Sequence, residues 1–120
     1  LPDVVPPVCI GATGEQIGLP LAGHIADMWH NMTRRESDWL RKYDIVQRAA
    51  TDAGRDPAAI ETGITIERPL PETDAASAEL AELIGRWHEI GVDHVVMDFG
   101  NPTATEPILR FAEQVIEPLR

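Results

Sequence analysis

Apolar residues along this chain occur at two alternating spacings, one typical of strands and one typical of helices. Short apolar or β-branched runs predict four buried strands, at 8–10, 26–32, 62–68 and 94–99. Each run is followed by a segment whose apolar residues recur every three or four positions, which predicts a helix. The chain is therefore predicted to consist of four strand-helix units in succession.

The helical segments have recognisable ends and one apolar stripe each. Pro20 must lie in the first turn of the first helix, at 15–26, or bend it. Glu36 or Ser37 begins the second helix and Gly54 follows its end, Thr73 or Asp74 begins the third and Gly91 follows it, and Thr105 caps the last. The expected buried positions are Ile17, Leu21 and Ile25, then Trp39, Tyr43, Val46 and Ala50, then Leu80, Leu83, Ile84 and Trp87, and finally Ile108, Ala112, Val115 and Leu119.

Alternation of strands and helices predicts an α/β fold with parallel strands joined by right-handed crossovers. Its 120 residues form one domain, 1–120. Two architectures fit this pattern, an open doubly wound sheet and part of an eight-stranded barrel, for which about 250 residues are typical. In both, ligands gather at the carboxyl ends of the strands, so the residues just after each strand are the site candidates.

The turn after the first strand is a candidate anion site. Gly11 and Gly14 bracket it, and a helix follows. The first N–H groups of a helix lack internal partners, and glycines let a phosphate approach the backbone. Two glycines three apart also suit a plain strand-to-helix turn with no ligand, so the pattern leaves both interpretations open.

Composition excludes several classes of partner. Twenty acidic against ten basic side chains give a net charge of −10, which repels a nucleic acid backbone and an anionic membrane surface. No apolar run approaches the roughly 20 residues that span a bilayer. A single cysteine, Cys9, and no secretory leader predict a reducing, cytoplasmic location. Because the chain begins at Leu1 rather than Met, we expect it to be processed or part of something longer.

Four further residues near strand ends are possible ligand contacts, and each has a structural alternative. Trp29 is more typical of a core, His30 of a loop facing water, and Arg68 of a solvated charge beside Glu67. Asp98 is expected to point toward the barrel mouth, and it also suits a cap for the turn that follows it.

The remaining chemistry in the sequence is sparse. His24 and His30, and likewise His88 and His94, are six residues apart, which suits neither one helix face nor the usual ligand spacings, so we expect no metal site. Cys9 is expected to be a small core residue of the first strand.

Several motifs, taken together and in order, resemble the second half of the bacterial luciferase-like family of flavin- or coenzyme F420-dependent oxidoreductases and monooxygenases. PPVCIGATGE at 6–15 and LAGHIADMW at 21–29 are similar to its fifth and sixth strand-helix units. GRDP at 54–57, GVDHV at 91–95 and FAEQVI at 111–116 are similar to its seventh and eighth. The resemblance covers nearly the whole chain.

This resemblance implies the C-terminal half of a (β/α)8 TIM barrel that binds coenzyme F420 or FMN and a small-molecule substrate. It implies that the turn of Gly11, Ala12, Thr13 and Gly14 holds the cofactor's phosphate, although Ala12 and Thr13 replace the commoner glycines and Thr13 would donate a hydroxyl instead. The family's first four strands have no counterpart here, so no catalytic residue can be assigned. The alternative is a non-catalytic half barrel that binds phosphate compounds or only itself.

A half barrel would leave its inner face and two strand edges uncovered. We expect Val8, Ile10, Ile64, Ile66 and Val96 to form an apolar inner face. The partner expected to cover it is the N-terminal half of the barrel or a second copy in a homodimer.

Overall fold

The computed structural model describes residues 5–120 and contains all eight predicted elements. In chain order these are β1 (Cys9–Gly11), α1 (Gly18–Ile25), β2 (Met28–Asn31), α2 (Glu36–Asp52), β3 (Glu61–Glu67), α3 (Asp74–Glu89), β4 (His94–Asp98) and α4 (Glu106–Phe111). A π-helical turn, Ala112–Ile116, continues α4 into α5 (Glu117–Leu119), and a 3-10 turn, Pro57–Ala59, precedes β3.

The four strands form one parallel sheet in the order β1-β2-β3-β4. Ile10 pairs with Trp29, Trp29 with Thr62, and Ile64 with Val95. A doubly wound sheet reverses its strand order at a switch point, whereas a barrel adds each new strand to the same side. The uninterrupted order therefore identifies a half barrel, which was one of the two predicted architectures.

Helix termini follow the predicted signals except at the last helix. Thr73 Oγ1 accepts a hydrogen bond from Ala76 N at 3.1 Å and so caps α3. Gly54 and Gly91 have φ of 73° and 108°, the left-handed conformation that glycine adopts at least cost after a helix. Thr105 precedes α4 in helical conformation and makes no side-chain cap, so the predicted cap at this residue is wrong.

The core lies between the sheet and the helices, and its centre is aromatic. Trp29 of β2 and Trp39 of α2 are fully buried, with ring centroids 5.7 Å apart. Tyr43 stacks on Trp39 from the next helical turn, and Trp87 of α3 meets Trp39 edge to face. The prediction that the tryptophans belong to the core is confirmed, and they join α2 and α3 to the middle of the sheet.

Helix α1 buries a different face from the predicted one. Its buried residues include Leu19, Ala22 and Gly23, whereas Ile17, Leu21 and Ile25 are exposed. The cause is close packing on α2, since a Cβ at Gly23 would lie only 2.5 Å from the carbonyl oxygen of Val46. At the point of closest approach only glycine fits, so the face of Leu19, Ala22 and Gly23 turns toward α2 and the predicted stripe faces outward. The last helix shows a similar departure, because Ile108 and Leu119 are exposed and Val115 alone of its predicted stripe is buried.

The face of the sheet opposite the helices is open, and it is less apolar than expected. Strand register places Ile10, Ile64 and Ile66 on the helix side with Val95 and Met97, which corrects their prediction as inner-face residues. The open face instead carries small and polar residues in neighbouring register positions: Cys9, Gly11, Met28, His30, Glu61, Gly63, Thr65, Glu67, His94, Val96 and Asp98.

Three exposed residues of the sheet region bear on earlier expectations. Cys9 is exposed on the open face, so its prediction as a core residue is wrong. Val96 is 51% exposed there, as expected, and Val8 is exposed just before β1.

The radius of gyration, 16.4 Å, exceeds the roughly 14 Å of a closed domain of this length, which agrees with an open arc. Within residues 5–120, no helix has the length and apolar character needed to cross a membrane.

Candidate functional site

The carboxyl ends of the four strands meet at one edge of the sheet, and all of the predicted site residues lie at or near it. They are Gly11, Ala12, Thr13 and Gly14 after β1, Trp29 and His30 in β2, Arg68 after β3 and Asp98 at the end of β4. The backbone joins them across the strands, because Ala12 N donates to His30 O at 3.2 Å and Arg68 N donates to Asp98 O at 3.0 Å.

The turn after β1 is anchored through the carbonyl oxygen of Ala12. This oxygen accepts hydrogen bonds from Trp29 Nε1 at 3.0 Å and from Asn31 Nδ2 at 3.2 Å. Both donors are buried side chains on the helix side of β2. These two hydrogen bonds hold the backbone of the turn in a fixed position relative to β2.

Beyond Ala12 the turn exposes backbone donors. Among residues 5–120, none accepts a hydrogen bond from the N–H of Thr13 or of Gly14, and both residues are exposed. A Cβ at Gly14 would meet no atom within 4 Å, so packing does not require glycine there. These exposed N–H groups are available to donate to a ligand, and α1 begins four residues beyond Gly14, at Gly18.

His30 is the most enclosed titratable group on the open face. Its Nε2 lies 2.8 Å from Thr65 Oγ1 on β3, and its ring covers Gly63. Partial burial lowers the pKa of the imidazole below its ordinary value, which favours the neutral form. His30 therefore lies half-buried on the open face of the sheet, within β2, instead of facing water in a loop.

Trp29 and Asn31 bring rigidity to the site from the opposite side of the sheet. Trp29 is fully buried: its indole N–H donates to the Ala12 carbonyl oxygen, and its ring packs in the core. Asn31 is one of the strand-end residues that the sequence marked as site candidates, but no role was predicted for it. Its side chain bridges two loops, since Oδ1 also accepts from Thr33 N at 2.6 Å.

The ends of β3 and β4 carry the charged part of the site. Asp98 lies on the open face, as predicted, and its Oδ1 accepts from Gly100 N at 2.8 Å, which is the expected turn cap. Glu67 pairs with Arg34 at 2.6 Å rather than with Arg68. A cavity of about 280 Å³ lies at the end of β3, and its lining includes Arg34, Thr65, Glu67, Arg68 and Trp87.

The site residues form two neighbouring groups. The turn of Gly11–Gly14 lies beside His30 through the backbone, and the charged pair Arg34–Glu67 lies two residues beyond Thr65. In the described part of the chain, no three histidine, cysteine, aspartate or glutamate side chains lie close enough together to hold a metal ion.

Comparison with known proteins adds a fold assignment to this geometry. No protein-family model matches the sequence, and no curated protein matches it significantly. Among solved structures, the chain is similar to an F420-dependent secondary alcohol dehydrogenase in complex with an F420-acetone adduct, at a TM-score of 0.81 and 18% identity over 99% of this chain. It is also similar to the coenzyme F420-dependent tetrahydromethanopterin reductase from Methanopyrus kandleri, at a TM-score of 0.69 and 15% identity over 95% of this chain.

Both neighbours are F420-dependent enzymes with the luciferase-like TIM barrel. The chain spans about half the length of each, 50% of the dehydrogenase and 51% of the reductase. Four parallel strands in sequence order, matched over nearly the whole chain to half of such a barrel, confirm the predicted fold class of a half (β/α)8 barrel.

Proposed function

We propose that this chain is the C-terminal half of a coenzyme F420-dependent oxidoreductase, active as the complete barrel. One observation carries the proposal: 99% of the chain superposes, at a TM-score of 0.81, on half of a dehydrogenase that uses F420. The luciferase-like motifs at 6–15, 21–29 and 91–95 support the same conclusion from the sequence.

The cofactor's phosphate would be held by the turn of Gly11, Ala12, Thr13 and Gly14. The exposed N–H groups of Thr13 and Gly14 suit an anion, and the Thr13 hydroxyl adds a further donor. Anchoring of Ala12 by Trp29 and Asn31 holds these donors in place before the ligand arrives, which reduces the ordering cost of binding.

When bound, F420 would supply hydride transfer, and the protein would supply placement and electrostatics. In this half, the open-face side chains around His30 and Thr65 would line the floor below the cofactor. The remainder of the pocket for a small-molecule substrate, and the catalytic residues, would come from the other half of the barrel. No catalytic role is assigned to a residue of this chain.

F420 is favoured over FMN because both structural neighbours use it. FMN-dependent oxygenation is the alternative chemistry among luciferase-like enzymes, and spectroscopy separates the two. We expect the full-length protein, purified and titrated with each cofactor, to bind F420 in preference to FMN. Preferential binding of FMN would overturn the choice of cofactor, and binding of neither would favour the non-catalytic half-barrel alternative.

The partner of this chain would be the other half of a barrel, covalently joined or separate. Among residues 5–120, strands β1 and β4 each have one edge with no strand paired to it, and a second four-stranded half would pair with both. A second copy is the less favoured occupant, because two copies would bring together two charges of −10.

A substitution at Gly14 tests the phosphate site. In Gly14→Val, a branched side chain would cover the exposed donors, and we expect F420 to bind at least ~10-fold more weakly, which is about 1.4 kcal/mol. The melting temperature should change little, because a Cβ there meets nothing within 4 Å.

Gly85→Val is the matched control. Gly85 lies in α3, away from the strand ends, and a Cβ there also meets nothing within 4 Å. This variant should keep wild-type affinity for F420, as measured by fluorescence titration of the full-length protein. Equal affinity in Gly14→Val and wild type would remove the phosphate from this turn.

A further inference from the structure

The imidazole of His30 lies in a space that exists only because residue 63 is glycine. His30 and Gly63 are register partners on the open face of β2 and β3. A Cβ at Gly63 would lie 2.7 Å from His30 Nδ1, too close for any real contact. Gly63 does not have the positive φ that requires glycine in the backbone. Its lack of a side chain therefore provides room for the histidine ring.

Thr65 orients this ring from the next position on the same face. Thr65 Oγ1 lies 2.8 Å from His30 Nε2. A neutral imidazole has one donor and one acceptor nitrogen, whereas a hydroxyl can serve as either. When Thr65 accepts from Nε2, Nδ1 is an acceptor; when Thr65 donates to Nε2, Nδ1 is a donor. The pair can thus match either an alcohol or a carbonyl group without gaining charge.

The surroundings of His30 favour an uncharged ligand group. Its partial burial favours the neutral imidazole, which offers no positive charge to an anion. The open face itself carries the carboxylates Glu61, Glu67 and Asp98 and no lysine or arginine among the described residues, so it does not attract an anionic group toward His30. The titratable and charged groups that face this region are Cys9, Glu61, Glu67, His94 and Asp98 on the strands, with Arg34 and Arg68 on the loops after β2 and β3.

Four of these groups already form two pairs. His94 Nε2 lies 2.9 Å from Glu61 Oε2, and Arg34 binds Glu67 at 2.6 Å. His30 forms no ion pair and bonds only the neutral hydroxyl of Thr65 among residues 5–120; it lies one residue before the end of β2 and beside the turn after β1.

We propose that His30, oriented by Thr65 and given room by Gly63, contacts the hydroxyl or carbonyl oxygen of a neutral substrate. This inference rests on the proposed function, since it places the substrate on the floor below an F420 site. His30 is a binding residue in this proposal, and Thr65 and Gly63 are positioning residues.

The test uses two probes of nearly equal size, acetone and acetate, which differ in charge. Full-length protein with ring-labelled histidine and bound F420 is titrated with each at pH 7.5, and NMR follows the His30 ring signals, assigned with His30→Gln. We expect saturable shifts with acetone and none with acetate at the same concentration. Shifts with acetate alone, or with neither probe, would overturn the inference.

Variants of Thr65 separate positioning from folding. Thr65→Ser keeps the hydroxyl and should bind acetone as wild type does. Thr65→Val has nearly the same shape without the hydroxyl, and its acetone affinity should fall at least ~5-fold, which corresponds to about one hydrogen bond. The pH at which the His30 ring titrates should also move in Thr65→Val only. Equal affinities and equal titration in both variants contradict the role of Thr65.

Gly63→Ala should displace the ring and abolish the acetone shift. Fluorescence titration of F420 on the same samples distinguishes the two proposals. If the wild-type protein binds F420 but acetone does not shift the His30 ring signals, the substrate contact alone is overturned. A wild-type protein that does not bind F420 overturns the proposed function and this inference with it.

Discussion

At the scale of single residues, His30 links the stability of the protein to pH. Burial lowers the pKa of its imidazole in the folded state, whereas the unfolded chain keeps the ordinary value near ~6.5. As the pH falls below ~6.5, the unfolded state therefore takes up the proton first. The contribution of His30 to the free energy of unfolding is full above that pH and is lost as the pH falls toward the folded-state pKa.

We expect the free energy of unfolding of the full-length protein to fall between pH 7.5 and pH 5.5 by more in wild type than in His30→Gln. Denaturant titration at the two pH values measures the difference. Gly85→Ala is the control, because it changes no titratable group and should leave the wild-type pH dependence intact. Identical pH dependence in wild type and His30→Gln would contradict the burial of a neutral imidazole.

At the scale of elements, the contact between α1 and α2 depends on one glycine. A Cβ at Gly23 would lie 2.5 Å from Val46 O, 2.6 Å from Ala49 Cβ and 2.9 Å from Ala50 N. Two of these three atoms belong to helix backbone, so the helices would have to separate to admit it. The resulting loss of packing exceeds the gain in helix propensity from glycine to alanine, which is about 1 kcal/mol.

Gly23→Ala should lower the free energy of unfolding by about 1–3 kcal/mol, as overpacked cores do. Gly85→Ala makes the same chemical change inside α3, where a Cβ meets nothing within 4 Å. It should raise stability by roughly 0.5–1 kcal/mol. Chemical denaturation of both variants measures the contrast, and a stabilised Gly23→Ala would show that the two helices are not packed this closely.

At the scale of the whole molecule, the open face is unlike the apolar surface that the sequence predicted. It contains glycine, histidine and threonine at its centre, and Val96 is its exposed branched residue. The two strand edges, rather than a large apolar patch, are therefore the main drive to associate. The net charge of −10 opposes association between copies.

We expect the isolated 120-residue chain not to persist as a well-behaved monomer. Light scattering should give an average mass above the 13.2 kDa of one chain, and the excess should grow with salt as the charges are screened. Adding the other half of a barrel should replace these species by a defined complex. A compact monomer that melts cooperatively in both low and high salt would contradict this expectation.

The sequence by itself determined the elements and placed the candidate residues at the carboxyl ends of the strands. Strand and helix spacing, together with local signals such as Thr73 and Gly54, depend on neighbours a few residues away, so they can be read directly. The turn at Gly11–Gly14 was located in the same way, because a strand, two glycines and a helix start are local features.

Only the tertiary structure decided which side chains face inward and which groups meet. Ile64 and Ile66 were placed on the wrong side because alternation along β3 separates its two faces without showing which face the helices cover. The outward stripe of α1 arises from a contact between helices, at Gly23, that sequence spacing does not reveal. The pairing of His30 with Thr65, 35 residues away in the chain, depends on strand register, which is set by the packing of the whole sheet.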